Sequence, residues 1–118
     1  MTNAAIDTVI VFADDVARLS SFYIAALRID DEIVEEDGHV GFELGDLYLG
    51  FDQSDGTHQH PGAVTVWLRV DDLDATFKRC LDLGATPVIE PVERPWGDRL
   101  ASVTDPEGNV VGFSQRRE

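Results

Sequence analysis

The sequence predicts an α+β domain in which one βαβββ unit is written twice, and three observations carry that prediction. "TVIVFADD" at residues 8–15 recurs as "TVWLRVDD" at 65–72: Thr, Val and both Asp coincide, and three further positions keep their apolar character. Each copy runs on into a helix-like stretch, "VARLSSFYIAALR" in the first half and "LDATFKRCLDLG" in the second. "LGFDQ" at 49–53 recurs as "VGFSQ" at 111–115, with Gly, Phe and Gln in common.

Residues 8–13 are rich in β-branched side chains and end at an Asp pair, the pattern of a strand. Asp14 or Asp15 can cap the helix that follows, since a carboxylate at that position accepts from free backbone N–H groups and suits the positive end of the dipole. Spacings of three and four put Val16, Leu19, Phe22, Tyr23 and Leu27 on its buried side. Three strands are expected next, over 32–36, 40–44 and 47–52, with turns at "EDGH" and "GD". "SDGTHQHPG", residues 54–62, is a polar connection. The second copy repeats the order. Asp71 or Asp72 caps a helix that buries Leu73, Phe77, Cys80 and Leu81 and stops at Gly84. Strands follow over 87–92, 99–104 and 110–115, the last two joined by "DPEGN", where Pro106 presets φ and Gly108 tolerates a positive one.

A chain of 118 residues suits one domain, with a first module over about 4–53, the connection over 54–62 and a second module over about 63–118. Hydrophobic residues at 43% and charged residues at 27% are ordinary for a folded domain and too apolar for disorder. Against 9 basic residues stand 23 acidic ones, a formal net charge of -14, which argues against nucleic acid or an anionic membrane as partner. The same field favours a cationic or neutral ligand. One cysteine, Cys80, permits no internal disulfide, and no signal peptide or membrane span is legible, so the expected compartment is the cytoplasm.

With "ADDVARLSSFY" in the first half and "PWGDRLASVTDPEGNVVGFSQ" in the second, the chain resembles the vicinal oxygen chelate superfamily over nearly its whole length. That superfamily takes in glyoxalase I, extradiol dioxygenases, epimerases and fosfomycin- and bleomycin-resistance proteins. The resemblance implies that the two modules form a curved mixed-sheet cup, and that a homodimer is common. In the metal-using branches it also implies a His on the first strand of a module and a Glu or His near the last. Carried onto this sequence, those positions are Thr8 and Thr65, and Gly50 and Gly112. None can offer an imidazole or carboxylate to a divalent cation. A register error of one leaves only Asp7 as a donor.

No metal and no cofactor are therefore expected. His58 and His60, spaced as "HQH", lie in the connection without an identifiable third ligand, and His39 reads as a solvated turn residue. No phosphate loop, nucleophile elbow or zinc-protease helix is present, and Cys80 reads as core.

Side chains alternate across a strand, so residues sharing parity with those four positions should face the cup. They are Thr8, Ile10 and Phe12; Tyr48, Gly50 and Asp52; Thr65, Trp67 and Arg69; and Val110, Gly112 and Ser114. Val9, Val11, Phe51, Val66, Leu68, Val70 and Phe113 should pack beneath the helices. The two glycines either remove bulk from the floor of a pocket or bend the sheet. Trp96, between Pro95 and Gly97, is expected at the cup mouth as a lid or at a dimer seam, with Arg94 and Arg99 pairing to nearby acids. Together these expectations describe a metal-free small-molecule binding protein like the bleomycin-type resistance proteins. Phe12, Tyr48, Trp67 and Trp96 would stack on an aromatic or cationic ligand, and Asp52, Arg69 and Ser114 would orient it, against Gly50, Thr65 and Gly112. The alternatives are a divergent lyase, isomerase or dioxygenase that lacks the usual His/Glu site, and a structural dimer with a filled cup.

Overall fold

The computed structural model describes residues 6–54, 65–95 and 97–116. Its elements run β1 (Thr8–Ala13), α1 (Val16–Ala26), β2 (Ile33–Glu36), β3 (His39–Leu44), β4 (Leu47–Gln53), β5 (Val66–Arg69), α2 (Leu73–Asp82), β6 (Thr86–Glu93), β7 (Arg99–Thr104) and β8 (Val110–Gln115). This is βαβββ twice, as the repeat predicts. The first module forms a sheet ordered β1-β4-β3-β2 and the second a sheet ordered β5-β8-β7-β6. β1 and β4 are parallel, as are β5 and β8, and the remaining pairs are antiparallel. Parallel neighbours need a long crossover, which the helix and two strands between them supply.

Asp15 and Asp72 are the N-caps, each in extended backbone, and their carboxylates accept from Arg18 N and Ala75 N at 3.1 Å. α2 stops where Gly84 takes φ 98°, a conformation that costs glycine nothing. α1 buries Leu19, Phe22, Tyr23 and Ala26; Val16 and Leu27 are partly buried against the same core. On α2 the expectation fails at one place. Leu81 is exposed and Thr76 takes the buried position, because the stripe facing the sheet runs through Leu73, Thr76, Phe77 and Cys80.

The core lies between the helices and the inner faces of the sheets, with Phe42, Phe51 and Phe113 as its largest members. Val9, Val11, Leu68 and Val70 pack against it, so the strand parity read from the sequence holds. The modules are tied by polar contacts as well. Tyr23 on α1 donates to Asp105 of the second module at 2.8 Å, and Arg79 on α2 donates to the Ala26 carbonyl at 3.0 Å. Glu107 accepts from Asp14 N and Asp15 N at 2.8 and 2.9 Å, so the second module's last turn caps the first module's helix. No helix among the described residues is long and apolar enough to cross a membrane.

Candidate functional site

Each sheet packs one face on its helix, and the other face carries the residues singled out in the sequence. In the first module the register sets Thr8 beside Tyr48, Ile10 beside Gly50 and Phe12 beside Asp52. On the other side of β4, Glu43 lies opposite Tyr48, Gly41 opposite Gly50 and His39 opposite Asp52. In the second module Trp67 lies beside Gly112 and Arg69 beside Ser114, with Ser102 and Leu100 opposite them on β7. Thr65 precedes β5 and is exposed.

The two glycines do not leave empty space. A Cβ on Gly50 would lie 2.8 Å from Ile10 Cδ1, 2.9 Å from His39 Cε1 and 3.0 Å from Tyr48 Cε2. On Gly112 it would lie 2.5 Å from Cζ3 of Trp67. The phenol of Tyr48 also covers Gly41, the third glycine of this kind. Glycine is required here by the close approach of a ring, so the expectation of a cleared floor is corrected: the protein's own aromatic rings lie flat on it. Trp67 nevertheless keeps 45% of its surface and Ile10 37%. Both sheet faces thus present apolar surface to solvent. Behind Trp67, Ser102 is buried, and among the described residues its hydroxyl has no partner.

The first module's face also carries a polar chain. His39 Nδ1 lies 2.5 Å from Asp52 Oδ1, and His39 Nε2 lies 2.6 Å from the Tyr48 hydroxyl, with the two rings nearly parallel at 5.9 Å. An ionised carboxylate only accepts, so in a neutral imidazole the proton sits on Nδ1 and Nε2 accepts from the phenol. Burial first, and then the charges of Glu36, Asp52 and Glu43, push the Tyr48 phenol above its usual range, so it rests protonated. The reading of His39 as a solvated turn residue is corrected. It opens β3 opposite Glu36, and only its neighbours Asp37 and Gly38 make the turn. Adjacent strands bring it to a partner 13 residues away, a pairing that local sequence does not announce.

The divalent metal of the family's metal-using branches does not fit these residues. Thr8 and Thr65 offer hydroxyls, Gly50 and Gly112 offer no side chain, and Trp67 fills the space beside Gly112. Among the described residues no three His, Cys, Asp or Glu side chains gather where they could hold a metal ion. His58, His60 and Trp96 lie outside the described residues. Arg99 pairs with Asp74 through two contacts of 2.9 and 3.0 Å, as expected of an Arg amid acids, and holds that carboxyl below its usual range. Arg94 begins the turn to Asp98. A shallow cleft between α1 and the end of α2, lined by Arg18, Phe22, Ala25 and Leu83, contains none of the expected ligand residues. Cys80 is buried, and burial pushes its thiol up to about 11.

Sequence comparison matches residues 5–113 to the glyoxalase-like domain family. An uncharacterized protein of Mycobacterium bovis is 48% identical over 52 residues, 44% of this chain and 34% of that protein, so the match spans about a third of the relative. Among solved structures, a glyoxalase/bleomycin resistance protein/dioxygenase family enzyme from Burkholderia phytofirmans superposes with a TM-score of 0.83 at 20% identity, over 95% of this chain and 98% of the other. A lactoylglutathione lyase from Agrobacterium tumefaciens gives 0.73 at 23% identity, over 97% and 95%. At these identities the likeness is one of fold.

Proposed function

Because the chain belongs to the glyoxalase-like domain family, we propose that it is a small-molecule binding protein that works without a metal and holds its ligand against the helix-free sheet faces. The observation that carries this reading is the exposed Trp67, laid flat on Gly112 beside Arg69 and Ser114. A rigid indole with one open face and polar groups at its edge is the usual makeup of a site for a flat ligand. On the other module Ile10, Phe12, Tyr48 and Asp52 supply the same combination of apolar wall and polar handle. The net charge of -14 favours a cationic aromatic ligand over an anionic one, and an antibiotic of that kind belongs to the class.

The working unit is a homodimer in which the first module's face of one copy lies across the second module's face of the other. Ile10, Val34, Trp67 and Val110 are all exposed large hydrophobics, and no hydrogen-bonded strand pair joins the two sheets among the described residues. A second copy would cover this apolar surface and close a cup around the ligand. Thr65 stands at its rim in this reading, and the compartment is the cytoplasm.

Thermal unfolding in the presence of chelator, against a panel of cationic aromatic compounds, tests the reading. A ligand that binds only the folded state raises the melting temperature, and Trp67→Ala abolishes the rise. Stabilisation that appears only when a divalent metal is added back would refute it.

A further inference from the structure

The Asp52–His39–Tyr48 chain is more than a binding face needs. The second module, built on the same strands, has Ser114, Leu100 and Val110 at the corresponding places, so the fold forms without such a network. On the first module three glycine-dependent placements serve it: Tyr48 can lie over Gly41 and Gly50 only because neither carries a side chain, and His39 approaches the same Gly50. The outcome is an imidazole fixed at both nitrogens, with Asp52 orienting Nδ1–H and the phenol on Nε2. This is the arrangement by which a carboxylate and a histidine activate a hydroxyl.

We propose that Asp52, His39 and Tyr48 form a proton-accepting centre in which Tyr48 Oη meets the ligand and takes a proton from the N–H of a protonated amine. The amine N–H bond breaks and a new O–H bond forms at Tyr48. The phenol's own proton passes to His39 Nε2, and the amine is left neutral with a free electron pair. One positive charge moves from ligand to imidazolium and none is created. The groups facing the centre suit that move: Glu36 lies opposite His39 on β2, Glu43 opposite Tyr48 on β3, and Asp52 binds the imidazole directly. A resting phenolate is not required, since the phenol gives its proton to His39 Nε2 only as it takes the ligand's. His39 and Asp52 retain 22% and 35% of their side-chain surface, so a ligand on this face reaches the centre.

The inference rests on the proposed ligand site, but its test needs no natural ligand. Aminoethylbenzenesulfonyl fluoride is an aromatic electrophile that carries an ammonium group. Attack by Tyr48 forms the Oη–S bond, expels fluoride and sends the phenolic proton to His39. The chain has two tyrosines, and Tyr23 is buried and bonded to Asp105, so it serves as an internal control. Mass spectrometry should find Tyr48 labelled at least about tenfold faster than free N-acetyltyrosinamide, and slowed by about tenfold or more in His39→Gln, with a smaller loss in Asp52→Asn. Phenethylamine, with its ammonium seated on Tyr48 Oη, should slow that labelling by about tenfold or more at saturation. Equal labelling in His39→Gln, or labelling no faster than the free amide, would overturn the relay. Labelling that phenethylamine does not slow would overturn the seating of an amine on Tyr48. Should His39→Gln misfold, the histidine tautomer of the unaltered protein decides by nitrogen NMR: a proton on Nδ1 supports the relay and one on Nε2 refutes it. If labelling fails, ligand binding by the thermal test still stands, and the reverse also holds.

Discussion

At Gly112 a methyl group would fall onto the six-membered ring of Trp67, well inside contact distance. The indole is half exposed and can swing outward, so Gly112→Ala should cost only about 1 kcal/mol, at the low end of what overpacking costs. The accompanying shift of Trp67 emission to longer wavelength, read in a Trp96→Phe background, checks that the ring has moved. Gly50 and Gly112 were visible in the sequence as two members of one repeat, and so was their departure from metal-ligand chemistry. What covers them was not, because a ring's direction along a sheet depends on neighbours from other strands. Tyr48 and Asp52 were legible as facing residues by parity alone. His39 was missed because "EDGH" reads locally as a four-residue turn, whereas the strand pairing with Glu36 begins one residue sooner.

Among the elements, "DPEGN" was legible as a turn and proves to be a clasp. Asp105 accepts from Glu107 N, Asn109 N and the Asn109 amide, which fixes the turn, and from buried Tyr23 across the module boundary. Tyr23→Phe leaves that buried carboxylate one donor short and should cost about 1–3 kcal/mol in urea unfolding. Glu107→Ala removes the acceptors of Asp14 N and Asp15 N at the entry to α1, and Asp72→Ala removes the cap of α2. Each should lower stability by about 1 kcal/mol, within the range for caps. The element order, both caps and the strand parity followed from local signals: β-branched runs, Asp pairs and Gly turns. Contacts between modules left no local trace. Glu107 lies more than 90 residues from the helix it caps, and its acidic side chain reads from sequence as one solvated acid among 23.

For the whole molecule, two buried acids set the alkaline limit. Burial raises the Cys80 thiol to about 11 and lifts the Tyr23 phenol, helped by Asp105, far above its ordinary value. Both are held protonated in the folded state and ionise more easily in the unfolded one, near about 8.5 for a thiol and about 10 for a phenol. A folded pKa above the unfolded one means stability that is full below the unfolded value and lost as pH rises. Chemical denaturation midpoints should therefore be flat through neutrality and fall from about pH 9 upward, and Cys80→Ser, which removes the titrating thiol, should flatten the first part of that fall. Light scattering after gel filtration should report twice the mass of the 13.0 kDa chain if two copies cover the exposed sheet faces.

The claim that the helix-free face around Trp67 holds a ligand is tested most directly by titrating a stabilising cationic aromatic compound into the Trp96→Phe protein with chelator present, and following Trp67 fluorescence. The account predicts saturable quenching, and a loss of binding by more than about tenfold, measured calorimetrically, when Trp67 is replaced by Ala, as expected of a central aromatic anchor. Unchanged affinity in Trp67→Ala would contradict it.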